Sequence, residues 1–240
     1  MSTTTVFALS RDDVITYALR KLGVIENGVT PDATTLANST TALNMLIKSW
    51  LAKGIKLWTV VELTLPLTTN KVSYGIGNSG PDLVTNKPMR VMQGWLRNIT
   101  VTPQNDIPLM LVSKHDYNAL GSKGSIGTPN SIFLDVLRDS STLYCYPTPD
   151  TNASTSYQVH MVVQRPLFDV VGSTDAFDFP TEWLYALGWN LAAELATDFG
   201  VDAERLQYIE MKAMKALTEM EDFDIEQTSV FFAPDLRYNR

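Results

Sequence analysis

Residues 177–200 read FDFPTEWLYALGWNLAAELATDFG, and this stretch predicts the helix around which the rest of the chain is organised. Pro180 suits a first helical turn, because the N–H that proline lacks would have no intrahelical partner there. Gly200 provides the stop, since glycine readily takes the left-handed conformation that closes many helices. Between them, leucines recur at steps of three and four residues, which is the helical period, at Leu184, Leu187, Leu191 and Leu195.

The predicted helix is apolar around most of its circumference, because tryptophans and alanines fill much of the surface between the leucines. Such a helix must be covered on several sides, and burying one leucine contributes about 1.5–3 kcal/mol. Charged residues interrupt it too often for a membrane span, which needs about 20 apolar residues. We therefore expect a core or subunit-interface helix, with these interface candidates: Trp183, Leu184, Leu187, Leu191 and Leu195.

The composition is that of an ordinary globular protein, with 240 residues, 45% of them hydrophobic and 19% charged. A net charge of −7 argues against a surface that grips nucleic acid by neutralising phosphates, although DNA can still slide past an acidic wall. Cys145 is the only cysteine, which excludes an internal disulfide and a cysteine-built zinc site. The first residues, MSTTTVFALSRDD, do not resemble a secretory signal, so folding in a cytoplasm is the simplest expectation.

Two early helices are expected before residue 54. Ser10 suits the N-cap of the first helix and Thr30 that of the second. Gly23 and Gly54 are the corresponding stops. Their short connection predicts that these two helices run antiparallel.

After residue 54 the apolar residues no longer recur at the helical period. Runs rich in β-branched and aromatic residues predict strands, and a four-residue loop at 138–141 predicts a hairpin. The runs are residues 55–65, 71–76, 89–101, 107–112, 131–137, 142–146 and 157–164.

A last helix is expected at residues 202–221, with Met211 and Met214 widening its apolar face. Helices on both sides of a strand block predict an α+β protein, an antiparallel helical bundle from N- and C-terminal helices with a β-rich insertion. The predicted parts are the N-terminal helical part (8–55), the β-rich insertion (56–166), the C-terminal helical part (167–223) and a C-terminal tail (224–240).

Candidate nucleophiles and bases are few. Cys145 and His160 fall on neighbouring predicted strands and could form a nucleophile pair, whereas His115 lies in a loop. A small buried thiol is far commoner than a catalytic one, so we favour a packing role for Cys145. The glycine-rich segments 75–80 and 121–127 lack the strand–loop–helix context of a phosphate loop and are better explained as turns.

Acidic residues offer no clear metal or hydrolase site. Asp169, Asp175 and Asp178 precede the central helix, but without calcium-loop spacing a solvated loop is the better explanation. Glu182 and Glu194 lie about 18 Å apart along one helix, too far for a paired-carboxylate site. We predict no catalytic, cofactor-binding or metal-binding residue.

The tail carries two further interface candidates, Phe231 and Phe232, in an otherwise polar segment. Either they fold back on the helices of their own chain, or they anchor the tail in a groove of a partner, as aromatic residues commonly do.

The order of these signatures resembles the head-to-tail adaptor proteins of short-tailed bacteriophages, also called tail accessory, tail tubular or DNA-stabilisation proteins. The resemblance covers residues 8–220. It rests on LNMLIKSWLAKGIKLW at 43–58 and on residues 180–200, with TLYCYPTPD and YQVHMVV between them.

The resemblance implies a structural virion connector without enzymatic activity, cofactor or membrane contact, assembled in the host cytoplasm. Its homo-oligomeric ring, usually of twelve copies, would bind the portal protein and the downstream tail proteins (nozzle, tail fibre or spike). Double-stranded DNA would be retained by the ring and pass through its lumen on ejection, without sequence-specific binding.

Two alternatives place a function on the β-rich part. One is a virion carbohydrate- or receptor-binding module with Trp95 and Tyr117 as stacking platforms. The other is a hydrolase that uses His115, His160 and Cys145.

Overall fold

The computed structural model describes residues 9–54 and 59–223. They form two compact units, a helical unit from residues 9–54 and 170–223 and a sheet unit from residues 59–169.

Helices and strands are distributed over both described ranges. The helices are α1 (Arg11–Leu22), α2 (Ala33–Lys53), α3 (Lys114–Ala119), α4 (Thr151–Ser156), α5 (Leu184–Leu195) and α6 (Ala203–Phe223), and a 3₁₀ turn, Thr181–Trp183, leads into α5. The strands are β1 (Val60–Pro66), β2 (Ser73–Gly77), β3 (Leu83–Val84), β4 (Arg90–Asn98), β5 (Asn105–Pro108), β6 (Met110–Leu111), β7 (Ile126–Gly127), β8 (Ser131–Val136), β9 (Ser141–Tyr146), β10 (Thr148–Pro149) and β11 (Tyr157–Gln164).

The ends of α1 are those that its sequence predicts. The Ser10 hydroxyl accepts a hydrogen bond from the Asp13 N–H, and the Asp13 carboxylate accepts one from the Ser10 N–H. This capping box satisfies two donors that a helix start would otherwise leave unpaired. Gly23, with φ of 71°, ends the helix in the left-handed conformation.

The start of α2 differs from the prediction. Its N-cap is Asp32, not Thr30, and the Asp32 carboxylate accepts hydrogen bonds from the N–H groups of Thr34 and Thr35. A carboxylate at this position both caps the helix and complements its dipole, so it outcompetes the threonine two residues earlier.

Helix α5 lies at the centre of the helical unit, where it packs against α1, α2 and α6. Contact with α1 is especially close at Gly188, where a Cβ would lie 2.6 Å from Cδ1 of Tyr17. Only glycine fits this crossing without displacing the tyrosine ring. The buried residues of α5 are Leu184, Ala186, Leu187, Gly188, Trp189, Leu191, Ala192 and Leu195.

The sheet unit contains a four-stranded sheet of order β1-β11-β4-β5 and a five-stranded sheet of order β3-β2-β9-β8-β6. Strands β10 and β7 form a third, two-stranded sheet. Side chains of both larger sheets enter one hydrophobic core, for example Leu96, Val159 and Met161 from the first and Ile132 and Leu143 from the second.

The predicted fold class, an α+β helical bundle with a β-rich insertion, is wrong. Over residues 9–54 and 59–223 the chain is a mixed α/β protein with several sheets, and only 39% of these residues are helical. The prediction treated the strands as an addition to a helical frame, but they bury a core of their own. It also placed a connection at 150–155, where the Asp150 carboxylate accepts the Ala153 N–H and starts α4. The four-part division of the chain stays a prediction, and its tail, 224–240, lies outside the described residues.

Candidate functional site

The five interface candidates before and within α5 are buried in a single copy of the chain. Their exposed fractions range from 0% at Leu187 and Leu191 to 6% at Leu184. Trp183 closes the 3₁₀ turn before α5 and is 1% exposed, as is Leu195 at the end of the helix. Their role at a subunit interface stays a prediction, and Phe231 and Phe232 lie outside the described residues.

The outer face of α6 carries exposed apolar side chains. Tyr208, Met211 and Met214 are 51%, 57% and 74% exposed. At about 100° per residue, Met211 points about 200° away from Ile209, which is buried against the unit. Met211 and Met214 therefore extend the apolar surface of α6 on its exposed side, and not on the side that is buried against the unit.

A groove of about 510 Å³ runs beside α1 and α5 of the helical unit. Leu9, Val14, Tyr17, Leu184 and Tyr185 line it with mainly apolar surface. Asp13 and Arg20 also line the groove, and both are exposed. The groove therefore presents apolar walls together with one acidic and one basic side chain, about two helical turns apart on α1.

Aromatic and basic side chains meet where α1 ends and α6 begins. The Trp189 ring packs edge-on against Tyr208, with centroids 6.1 Å apart. Lys21 Nζ lies 5.4 Å from the Trp189 ring centroid, and the Arg205 guanidinium donates a hydrogen bond to the Lys21 carbonyl at 3.0 Å. Cations suit the negative end of α1, so this cluster closes the helix and needs no ligand to explain it.

The Cys145–His160 pair does not form. Cys145 lies in β9 of the five-stranded sheet and His160 in β11 of the four-stranded sheet, so the prediction of neighbouring strands is wrong. Burial raises the pKa of the Cys145 thiol to about 12, which keeps it protonated and a poor nucleophile. His115 is 89% exposed at its side chain and lies 4.0 Å from Asp116.

His160 belongs to a network on the face of the four-stranded sheet that points away from the core. Its Nδ1 lies 2.8 Å from Oε1 of Glu62 and 3.3 Å from Oγ1 of Thr64, both on β1. On the other side, its ring stacks on Trp95 of β4, with centroids 5.8 Å apart. Cross-strand pairs of this kind hold neighbouring strands together.

The network continues to the edge strand β5. Arg97 of β4 donates two hydrogen bonds of 2.8 Å to Asp106 of β5, and this contact lowers the pKa of the Asp106 carboxyl below its usual value. The Arg97 guanidinium also lies 5.9 Å from the Trp95 ring centroid. The residues of this face link all four strands of the sheet. The sequence pointed to Trp95 and His160 singly and in other roles, but their grouping with Glu62, Arg97 and Asp106 was missed because strand order is not visible in the sequence.

The proposed sugar-stacking platforms are both engaged within the chain. Tyr117 is 7% exposed and packs against Phe133 and Tyr144, at centroid distances of 5.5 and 5.1 Å. Trp95 stacks on His160 as described. Tyr117 is therefore not an open platform for a sugar, whereas Trp95 is half-buried and has its ring engaged by His160.

The acidic segment holds a turn, whereas the glycine-rich segments 75–80 and 121–127 combine turns with residues of β2 and β7. The Asp175 carboxylate accepts hydrogen bonds from the N–H groups of Val171 and Gly172, which lowers the pKa of Asp175. The Asp82 carboxylate accepts a hydrogen bond of 2.8 Å from the Gly75 N–H and forms an ion pair with Lys71. The Gly75 N–H, which a bound phosphate would use, is therefore already engaged. Across residues 9–54 and 59–223, no three His, Cys, Asp or Glu side chains are grouped as metal ligands.

These titratable groups stabilise turns, caps and sheets, whereas the helical unit exposes an apolar helix face and an apolar groove. None of the helices in the described residues is long and apolar enough to cross a membrane.

The profile of the SU10 adaptor protein family matches residues 10–234. The chain belongs to this family, which confirms the resemblance to phage head-to-tail adaptors. The family is one of structural phage proteins, so its members are adaptor proteins of the virion. No curated protein matches the chain.

Proposed function

We propose that the chain is the ring-forming connector between the portal and the tail of a short-tailed phage. In this proposal a dodecameric ring at the head–tail junction extends the DNA channel, retains the packaged genome and lets it pass during ejection. Its partners are the portal protein and the downstream tail proteins, namely a nozzle and a tail fibre or spike. Assembly takes place in the host cytoplasm, and neither an enzymatic step nor a cofactor is involved.

The observation that carries the proposal is the family match over residues 10–234, which includes both described ranges almost completely. The negative net charge of the chain supports the proposed function. At −7 per copy, a ring of this chain would repel the DNA backbone rather than hold it, and a conduit for DNA needs a wall of low affinity.

The surfaces of the helical unit also support a ring. A closed ring uses two different faces of each subunit, one for each neighbour. In this proposal the exposed apolar residues of α6 and the groove beside α1 serve as these two faces. The proposal assigns Phe231 and Phe232 of the tail to contacts with a partner.

The alternative functions gain no support from the described residues. Tyr117 is packed under neighbouring rings, and Trp95 is stacked on His160. Cys145 and His160 belong to different sheets.

The test is native mass spectrometry of the purified full chain, alone and mixed with the portal ring of the same virion. We expect a complex with about one adaptor per portal subunit, because the two rings share one symmetry axis. A chain that stays a lone monomer or trimer in the presence of the portal would contradict the connector function.

A further inference from the structure

We propose that neighbouring copies of this chain bind through unlike surfaces, the outer face of α6 on one copy and the α1–α5 groove on the next. The inference rests on the proposed ring, and it names the contact that builds it. Of the buried α5 candidates only Leu184 lines this contact, and the exposed residues that form it lie on α1, α6 and the start of α5.

The first surface is formed by Met211 and Met214. They lie three residues apart on α6 and are therefore neighbours on one helix face. Both are more than half exposed, and they point away from Ile209, which is buried in the helical unit. Flexible, polarisable methionine side chains are well suited to filling an irregular apolar groove.

The second surface is the groove of about 510 Å³ beside α1 and α5. Val14 and Leu184 are buried and provide apolar wall, whereas Tyr185 is 52% exposed. Tyrosine is enriched at protein interfaces, because it offers a large rigid ring with a polar end. The groove is therefore a receptive site for apolar side chains of another molecule.

Charged residues beside the two surfaces favour one orientation of α6 relative to α1 of the next copy. Asp13 and Arg20 line the groove about 10.5 Å apart along α1, and Glu210 and Lys215 lie beside the methionines about 7.5 Å apart along α6. If α6 lies antiparallel to α1 of the next copy, Glu210 meets Arg20 and Lys215 meets Asp13. A parallel arrangement would place like charges together, which is costly at an interface.

A second copy of this chain is the occupant because each copy carries one of each surface. Met211 and Met214 face away from the unit that contains their own groove, so they cannot fill it. When α6 of one copy binds the groove of the next, the pair still offers one free α6 face and one free groove. Such a contact repeats, and it forms a ring if the rotation between copies closes.

Thiol cross-linking tests the contact directly. Cys145 is 1% exposed, so new thiols at the surface react before it does. Two full-length variants, Met214→Cys and Tyr185→Cys, are purified separately, mixed with the portal ring and treated with a short bifunctional thiol reagent. Because each variant has one new thiol, a link between the two positions can form only between copies. We expect about tenfold more covalent dimer in the mixture than with either variant alone.

Three outcomes would overturn this contact. One is a ring, seen by native mass spectrometry, without the cross-link. Another is efficient dimerisation of Met214→Cys alone, which would show a symmetric α6–α6 contact. The third is a cross-link that forms only after removal of residues 1–8, which precede Leu9 at the groove and would then be its native occupant. If the unmodified chain forms no assembly with the portal at all, the proposed function fails as well.

Charge exchange provides an independent test. Arg20→Glu and Glu210→Arg should each reduce the assembled fraction about tenfold, and the combined variant should recover most of it, because the pair is restored in reverse. Glu26→Arg is the matched control, since Glu26 is exposed in the loop after α1 and lines neither surface. Additive losses in the combined variant would overturn the proposed pairing.

Discussion

The indole rings of Trp50 and Trp183 meet edge to face in the helical unit, with centroids 5.5 Å apart and planes inclined by 62°. Trp50 lies in α2, within residues 43–58, and Trp183 ends the turn before α5, within residues 180–200. These are the two stretches that carry the resemblance to head-to-tail adaptors. The pair therefore joins in space the parts of the sequence by which the family is recognised.

Removal of either indole should destabilise the helical unit. Trp50 and Trp183 are 2% and 1% exposed, and replacing a buried tryptophan by alanine typically costs about 3–5 kcal/mol. We expect Trp50→Ala to lower the unfolding midpoint in urea, and Trp50→Phe to lower it less, because the ring contact is partly kept. Equal midpoints for the wild type and Trp50→Ala would show that this pair is not part of the stabilising core.

A charge inside α5 should prevent folding. Leu191 is 0% exposed, and an aspartate there would be buried without a partner. We expect Leu191→Asp to be insoluble or to lose its cooperative melting transition. Met214→Asp is the matched control, because Met214 is 74% exposed, and its monomer should melt as the wild type does. Normal melting of Leu191→Asp would exclude a central role for α5.

The capping box of α1 should contribute stability that depends on pH. Hydrogen bonds from Ser10 lower the pKa of Asp13 below 3.8 in the folded chain. Its contribution is therefore fully present above pH 3.8 and is lost as the pH falls through the lower, folded-state pKa. Ser10→Ala should cost about 0.5–2 kcal/mol at neutral pH.

The measurement is a carboxyl NMR titration of Asp13 together with urea unfolding at several pH values. In Ser10→Ala the pKa of Asp13 should rise toward its ordinary value. An unchanged pKa would show that the hydrogen bond from the Ser10 hydroxyl does not stabilise the ionised carboxylate.

Cys145 should be chemically silent in the folded protein. It is 1% exposed, and burial raises the pKa of its thiol to about 12. At pH 8 we expect no reaction with a coloured disulfide reagent until denaturant is added, and then one thiol per chain. Rapid labelling without denaturant would show that the core of the sheet unit opens, and it would also remove the basis for selective cross-linking at new thiols.

The sequence predicts local features of this fold better than non-local ones. Ser10 and Gly23 bound α1 as expected, because capping depends on residues within one turn. The leucines of α5 are buried as expected, since their spacing leaves no polar face wide enough for solvent. Both predictions depend only on neighbouring residues.

The arrangement of strands could not be predicted in the same way. The β8–β9 hairpin was predicted because its strands are neighbours in sequence, but β9 also pairs with β2, and β11 pairs with β1 and β4. Cys145 and His160 therefore lie in different sheets although they are fifteen residues apart. Strand partners that are distant in sequence are chosen by the core as a whole. For the same reason the sequence showed strands between helices, but not that the strands enclose a core of their own.

The tail provides the last prediction, because its two candidates lie outside the described residues. Deletion of residues 229–240 should leave the melting temperature of the monomer unchanged and weaken binding to the portal ring. The physical reason is that aromatic side chains such as Phe231 and Phe232 act as anchors at interfaces, and their loss removes binding energy without removing core contacts. Native mass spectrometry at increasing portal concentration measures the loss of binding.

A full-length variant, Phe231→Ala with Phe232→Ala, should reproduce the effect of the deletion on binding, whereas Ser229→Ala should bind as the wild type does. Unchanged binding of the double variant, combined with a lower melting temperature, would instead assign both phenylalanines to packing within their own chain.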